Sequence, residues 1–385
     1  VGTRGALTVI YILTVVGMAF VGVLIPFTGP LARDLGVTPG DLGLAITLFS
    51  APSAVAATLF GVWADRMGYR LGHVVGGLLI AVADLALMPA AGALQLHLAF
   101  LLAGTGFAII SAAAPALIMS IVTGRAEARA MAVWATYAPA GLSLGLLLAG
   151  VSIFGLGWRA ALSVHAALTT GAILACLRLP RAKGEAGGGL AAAWRDWVWA
   201  FTDPAVLRLS LAAAVVPAIG YGVTLVAPGV FAAAYGLSAT RAAVLMALVN
   251  LATLGGSWWA GRLLSGARSP KRLYVIAMAV GAPAQVLVFV PFGGLVAGVV
   301  ALAVWTTACG VAMAVAMAVL PRVLPNLERA GAAAGLVSQF IAVGSVAAPV
   351  TYLSAQAERN GGAVAAVGVA LLLASVWLLP SRRGR

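Results

Sequence analysis

The sequence predicts an all-α polytopic membrane protein, with twelve transmembrane helices in two pseudo-symmetric six-helix bundles. Three observations predict it. Apolar runs of roughly 20 residues recur along the whole chain, each long enough as a helix to cross a hydrocarbon layer of about 30 Å. The basic residues fall almost entirely between alternate runs. Short sequence echoes recur at equivalent places in the first six runs and the last six.

Of the 385 residues, 63% are hydrophobic and 9% are charged, against about 25% charged in an ordinary soluble domain. A water-facing surface cannot be assembled from so few charges. The runs cover residues 6–28, 42–63, 72–92, 98–121, 130–153, 159–178, 206–234, 241–263, 272–292, 295–319, 331–355 and 362–380. None alternates apolar and polar over about 10 residues, as a barrel strand must. The first run follows Arg4 and is read as a helix rather than a signal peptide, because eleven further runs follow and no small-residue cleavage site stands out.

A net charge of +13 raises the question of nucleic acid, and the placement of the charges answers it. With a cytoplasmic amino terminus, all but four of the 23 Lys and Arg residues lie in inside segments; the four are Arg33, Arg159, Arg241 and Arg359. This is the positive-inside pattern. Both termini are therefore expected in the cytoplasm, across a bacterial-type inner membrane, and the basic excess reflects topology. Cys176 and Cys309 fall in different halves and offer neither a disulfide nor a metal spacing.

Three regions are expected: an amino-terminal bundle (1–178), a cytoplasmic linker (179–203) and a carboxy-terminal bundle with a short tail (204–385). Within the linker, residues 190–201 carry Trp194, Trp197 and Trp199 and read either as a helix lying at the headgroup layer or as a plain connector. The repeat shows in "WADR" (63–66) against "WAGR" (259–262), and in "AEARAMA" from Ala126 against "LERAGAA" from Leu327. Duplicated six-helix units are a transporter signature.

Between the second and third runs stands "GVWADRMGYR", residues 61–70. It resembles the signature loop of the major facilitator superfamily of secondary transporters, keeping Gly61, the Asp65–Arg66 pair, Gly68 and Arg70. In that family the loop latches the two halves at the cytoplasmic face, so the resemblance implies a conformational latch with Asp65 and Arg66 at its centre and Arg70 as helper. Physically, the glycines permit close helix approach and a tight turn. Asp65 is suited to accept bonds from free amides at a helix start or to pair with an arginine. The two arginines are also accounted for by the positive-inside bias alone; Asp65 is not. The second copy has Gly261 where the first has Asp65, so one strong latch is expected.

The fifth helix, "YAPAGLSLG" (137–145), keeps Pro139, Gly141 and Gly145 of a Gly-Pro arrangement found in exporters of this family, with Ala138 where a glycine usually precedes the proline. Kinking by proline and close packing by glycine explain it as well as export does. In the fourth helix, Phe100, Leu101 and Leu102 stand where proton-coupled drug exporters carry a buried arginine, and the resemblance does not extend to that residue.

By the same resemblance, the first, fourth, seventh and tenth helices line a central cavity, with the second, fifth, eighth and eleventh at its seam. Their midplane polar and aromatic residues are Thr14, Met18, Ser111, Tyr221, Thr224, Asn250, Thr253, Trp305, Thr306 and Thr307, with Tyr11, Tyr137 and Gln339 nearer the cytoplasm. Each is a substrate-cavity candidate, although for any one of them packing or helix-to-helix hydrogen bonding is the readier explanation. No acid or base lies in the middle of these eight helices, and a buried ligand charge needs a paired charge. A neutral, zwitterionic or amphipathic solute is expected.

Asp84 and His165 are ionisable groups inside spans, about 9–12 Å below the outer surface at 1.5 Å per residue. They are a candidate structural pair or a candidate proton relay. The sequence thus implies a secondary transporter working by alternating access, with proton coupling and export favoured. Import or uniport of a small metabolite is the alternative, and a transport-inactive sensor or assembly factor is the alternative of another class. Three dispersed histidines, His73, His97 and His165, offer no catalytic cluster. The expected partners are a small solute, membrane lipid and protons, in a monomer, with no cofactor, metal or nucleic acid.

Overall fold

The structure, a computed structural model, describes residues 2–149, 157–182, 189–266, 268–290, 293–357 and 360–380. All regular structure among them is helical. In chain order the helices are α1 (Thr3–Leu24), α2 (Thr28–Leu35), α3 (Pro39–Met67), α4 (Tyr69–Leu87), α5 (Ala93–Ile121), α6 (Gly124–Trp134), α7 (Tyr137–Ala149) and α8 (Gly157–Cys176). They continue with α9 (Leu190–Thr202), α10 (Pro204–Tyr235), α11 (Ala239–Asn250), α12 (Ala252–Ser265), α13 (Pro270–Phe289), α14 (Gly294–Val323), α15 (Ala330–Ala357) and α16 (Gly361–Leu378).

Ten of these helices are long and apolar enough to cross a membrane, or eleven if α6 and α7, which meet at a 41° bend, are counted as one broken span. The bend has a cause in the sequence. Pro139 lacks the N–H that would bond to the carbonyl of Ala135, and its ring crowds that carbonyl; the helix breaks at Ala135 and Thr136, one turn earlier. The expected run 241–263 is divided at Leu251 into α11 and α12. There Leu251 donates to Leu248 and Leu254 to Leu251, a short tightening to i→i−3 bonding. Leu251 keeps a helical φ of −62°.

The chain forms two compact units. One contains Val1–Val122, Tyr137–Asp203 and Leu324–Ala342, the other Thr123–Thr136, Pro204–Val323 and Val343–Arg385. In the first, α5 is the most buried rod, with 19 of its 29 residues buried; in the second, α14 holds that place, with 18 of 30. Small residues set the spacing in both. On α4 and α5, Gly76 and Gly106 each stand against the other's backbone carbonyl, and on α12 and α14, Gly310 stands against the carbonyl of Thr253. Without a hydrophobic force between helices in lipid, such close backbone approach is what associates them. α1 and α7 pack in the same way: a Cβ on Gly141 would lie 2.5 Å from that of Met18, and one on Gly145 2.6 Å from Gly22 Cα.

At the expected outer ends of the first unit, Asp34 at the end of α2 accepts from Trp158 Nε1 at 2.9 Å and from Arg159 Nη1 at 3.0 Å, while Arg159 Nε donates to the Met88 carbonyl. The Trp158 bond, followed by the Arg159 bond, holds the Asp34 carboxyl below its ordinary range. α2 is stopped by Gly36 at φ 62°, a left-handed conformation that glycine adopts without strain.

Candidate functional site

The last turns of α3 carry Ala57, Gly61 and Asp65 at four-residue spacing, hence on one face. α15 presents Gly331, Gly335 and Gln339 at the same spacing. The two faces meet within the first unit: a Cβ on Gly61 would collide with the Gly331 carbonyl, and one on Gly335 with the Ala57 carbonyl. Contact this close brings the Asp65 carboxylate to the start of α15. Oδ1 accepts from the Gly331 amide at 2.7 Å and Oδ2 from the Ala332 amide at 2.9 Å. These are among the four amides that a helix leaves unpaired at its amino terminus, where the backbone dipole also favours a negative charge. Tyr69 donates its hydroxyl to Asp65 Oδ1 at 2.8 Å. The carboxylate is 1% exposed, so three donors replace its water.

Arg66 turns away from Asp65. Its Nη2 lies 2.6 Å from Asp196 Oδ2 on α9, and Arg329, in the turn before α15, approaches Asp196 Oδ1 through Nε at 2.8 Å. One acid thus bridges an arginine of α3 and an arginine at the entry to α15. The Arg329 guanidinium also lies 5.0 Å from the Trp199 ring centroid, within cation–π range. Arg70 donates to the Leu177 carbonyl at 3.1 Å, satisfying a backbone acceptor just past the end of α8. Gly68 makes the turn between α3 and α4 at φ 103°, which an L side chain rarely adopts. One turn deeper, Gln339 accepts from the Thr58 hydroxyl at 2.6 Å and its amide, and donates to the Val55 carbonyl at 3.1 Å.

Of the signature-loop residues, Gly61 and Asp65 thus contact the start of α15 directly, Arg66 reaches its entry through Asp196, and Gly68 and Arg70 serve the α3–α4 turn and the end of α8. Sequence reasoning missed Asp196 and Arg329. The available signal was Asp196 itself, an acid in a linker helix otherwise charged only by Arg195. In the second repeat, Gly261 packs against Ala132 of α6, and Arg262 lies 3.6 Å from the Trp258 ring.

The other candidates are dispersed along their helices. Thr14, Ser111 and Thr306 are buried and donate to carbonyls of their own helices, Thr306 also to Val249 on α11. Thr224 donates to Gly220. Trp305 is fully buried and contacts the Gly281 position. Tyr137 packs against Phe107 at 5.7 Å. Tyr11 and Asn250 are partly exposed, and Tyr221 is 39% exposed. Asp84 and His165 meet: Nδ1 lies 2.9 and 2.8 Å from the two carboxylate oxygens, and Nε2 lies 2.8 Å from the Val16 carbonyl of α1. Among the described residues, no three His, Cys, Asp or Glu side chains gather as metal ligands.

Comparison with known proteins gives the same frame. The human organic anion transporter MFSD10 (TETRAN) superposes with a TM-score of 0.82 at 17% identity, over 98% of this chain and 99% of that one. The fucose:proton symporter FucP of E. coli does so with a TM-score of 0.74 at 13% identity, over 98% of each. A puromycin resistance protein of Streptomyces alboniger is 33% identical over 150 residues, which span 39% of this chain and 30% of that protein. Residues 7–349 match the family described as Major Facilitator Superfamily. An integral membrane chain of this helical fold, matched over nearly its whole length, belongs to the major facilitator superfamily of transporters.

Proposed function

We propose that the protein is a secondary transporter that exports a small neutral, zwitterionic or amphipathic organic solute by alternating access. It acts as a monomer in a cytoplasmic membrane, with both termini inside and protons as the coupling ion. The observation that carries the reading is the seat of Asp65 on the first amides of α15. A carboxylate that replaces its water with helix-start amides makes one arrangement of α3 and α15 distinctly favoured, and alternating access needs such a contact to be made and broken. The absence of charged residues from the middle of the cavity helices supports an uncharged or amphipathic cargo. Export draws support from the 150-residue similarity to the puromycin resistance protein and from Pro139, Gly141 and Gly145.

Puromycin is the first solute to test. Purified protein is melted at two pH values with puromycin and a panel of neutral, zwitterionic and amphipathic solutes, since a ligand that binds the native state raises its melting temperature. Hits are then followed as labelled flux in proteoliposomes. The reading predicts stabilisation and saturable flux for at least one amphipathic solute; failure of the whole panel to bind or move would overturn it.

A further inference from the structure

The geometry around Asp84 and His165 points to a function beyond architecture: we propose that the couple is a one-proton binding site, and that its loading and unloading is the coupling-ion step of transport. This rests on the transport reading above.

Both side chains are fully buried. His165 Nε2 faces the Val16 carbonyl at 2.8 Å; a carbonyl only accepts, so Nε2 carries a hydrogen. Nδ1 faces both oxygens of Asp84. With one proton between Nδ1 and the carboxylate, every close contact is a hydrogen bond. Without it, an imidazole lone pair confronts a carboxylate at under 3 Å, and no solvent reaches either. The arrangement therefore contains one proton. Releasing it to water leaves neutral imidazole and carboxylate, and requires the couple to part or to hydrate. Because Nε2 also holds a carbonyl of α1, parting moves α1 relative to α4 and α8, which is how a proton can bias a conformation.

The surrounding helices supply no competing charge at the couple. Besides the couple itself, their titratable groups are Arg4 and Tyr11 on α1, Asp41, Asp65 and Arg66 on α3, Tyr69, Arg70 and His73 on α4, His97 on α5, Tyr137 on α7, and Arg159 and Cys176 on α8. Along their own helices, His73 is about 16 Å from Asp84 and Arg159 about 9 Å from His165. The side-chain hydrogen bonds of Asp84 and His165 go to each other and to Val16, with the Phe20 ring 6.0 Å away.

The second half has the matching helix pair, α13 packed on α16 as α4 is on α8. There Gln285 faces Gly368, a Cβ on which would lie 2.5 Å from the Gln285 amide nitrogen, and both amide atoms of Gln285 are buried without a hydrogen-bond partner among the described residues. That helix pair packs through a neutral side chain and a glycine.

With three histidines in the chain, ¹⁵N-histidine labelling of the full-length protein in lipid nanodiscs gives three ring signals, assigned with His97→Gln and His165→Gln. The proposal predicts that the His165 ring of the wild type changes from doubly to singly protonated as pH is raised, and that Asp84→Asn abolishes or displaces that change. A His165 ring that keeps one protonation state at every pH where the protein stays folded would overturn it and leave a structural tie. In proteoliposomes, Asp84→Asn should also lose accumulation of puromycin driven by an imposed pH gradient. If the wild type moves no puromycin or any other solute, the transport reading fails, while the ring signals still decide whether the couple exchanges a proton.

Discussion

Asp196 on α9 holds Arg66 of α3 at 2.6 Å and Arg329, three residues before Ala332, at 2.8 Å. A residue of the linker thereby ties together the two sides of the Asp65 contact. Asp196 is 7% exposed, and hydrogen bonds to charged groups contribute about 1.5–3 kcal/mol each. Asp196→Asn is expected to weaken the α3–α15 contact by an amount in that range and to slow solute flux. Exchanging the charges in Arg66→Asp with Asp196→Arg is expected to restore part of it, because Arg329 is then left facing a cation. Flux of the single and double variants in proteoliposomes checks this.

Asp65→Asn keeps the size of the side chain and removes its charge. One amide of α15 loses a charged acceptor, at a cost of about 1.5–3 kcal/mol, or roughly tenfold to a hundredfold in the equilibrium between latched and unlatched states. The amide hydrogens of Gly331 and Ala332 should then exchange with solvent faster by a similar factor, in hydrogen–deuterium exchange of the α15 amino-terminal peptide. Membrane insertion and expression should be unaffected.

Gly61→Ala tests the close approach directly. The added Cβ runs into the Gly331 carbonyl, so α3 and α15 must separate by roughly an ångström to restore an ordinary contact. Overpacking of this kind costs about 1–3 kcal/mol. The variant should mimic Asp65→Asn in exchange at Gly331 and Ala332, whereas Gly171→Ala, where a Cβ meets nothing within 4 Å, should leave both amides as in the wild type.

Asp34 gives a pH dependence with a definite sign. Its carboxyl is held low by Trp158 and then Arg159, so the folded protein binds this proton less readily than the unfolded chain does. The stability it contributes is fully present above the ordinary aspartate value of about 3.9 and is lost as pH falls through the lower folded value. Because the side chain is half exposed, the effect is small. The melting temperature of the wild type minus that of Asp34→Asn should be positive at neutral pH and shrink towards zero in acid.

Much of this was legible in the sequence because lipid imposes simple rules. Apolar length gives the spans, charge asymmetry predicts the topology, and the signature loop from Gly61 to Arg70 marks the contact with α15. Asp84 and His165 stand out because ionisable groups inside spans are rare, and equal depth is enough to suggest that they meet. Asp196 was not legible: its contacts with Arg66 and Arg329 span 130 and 133 residues and depend on how the linker helix seats itself, which no periodicity records. Arg329 was hidden for another reason, since the positive-inside bias already accounts for it. The break before α7 was foreseeable in kind from Pro139 but sits one turn upstream, where the missing hydrogen bond would have ended. The interruption at Leu251 had no proline or charge to announce it.

The account turns on α3 and α15 parting and rejoining in each transport cycle, and a reversible cross-link measures that most directly. Thr58 and Gln339 lie in hydrogen-bond contact across the two helices. With the native cysteines Cys176 and Cys309 replaced by alanine, Thr58→Cys with Gln339→Cys can be oxidised to a disulfide or spanned by a short bifunctional reagent. Cross-linked protein is expected to stop moving puromycin, or whichever solute the panel identifies, and reduction is expected to restore the flux. Undiminished transport by fully cross-linked protein would contradict the account, because the helices would then have no need to separate.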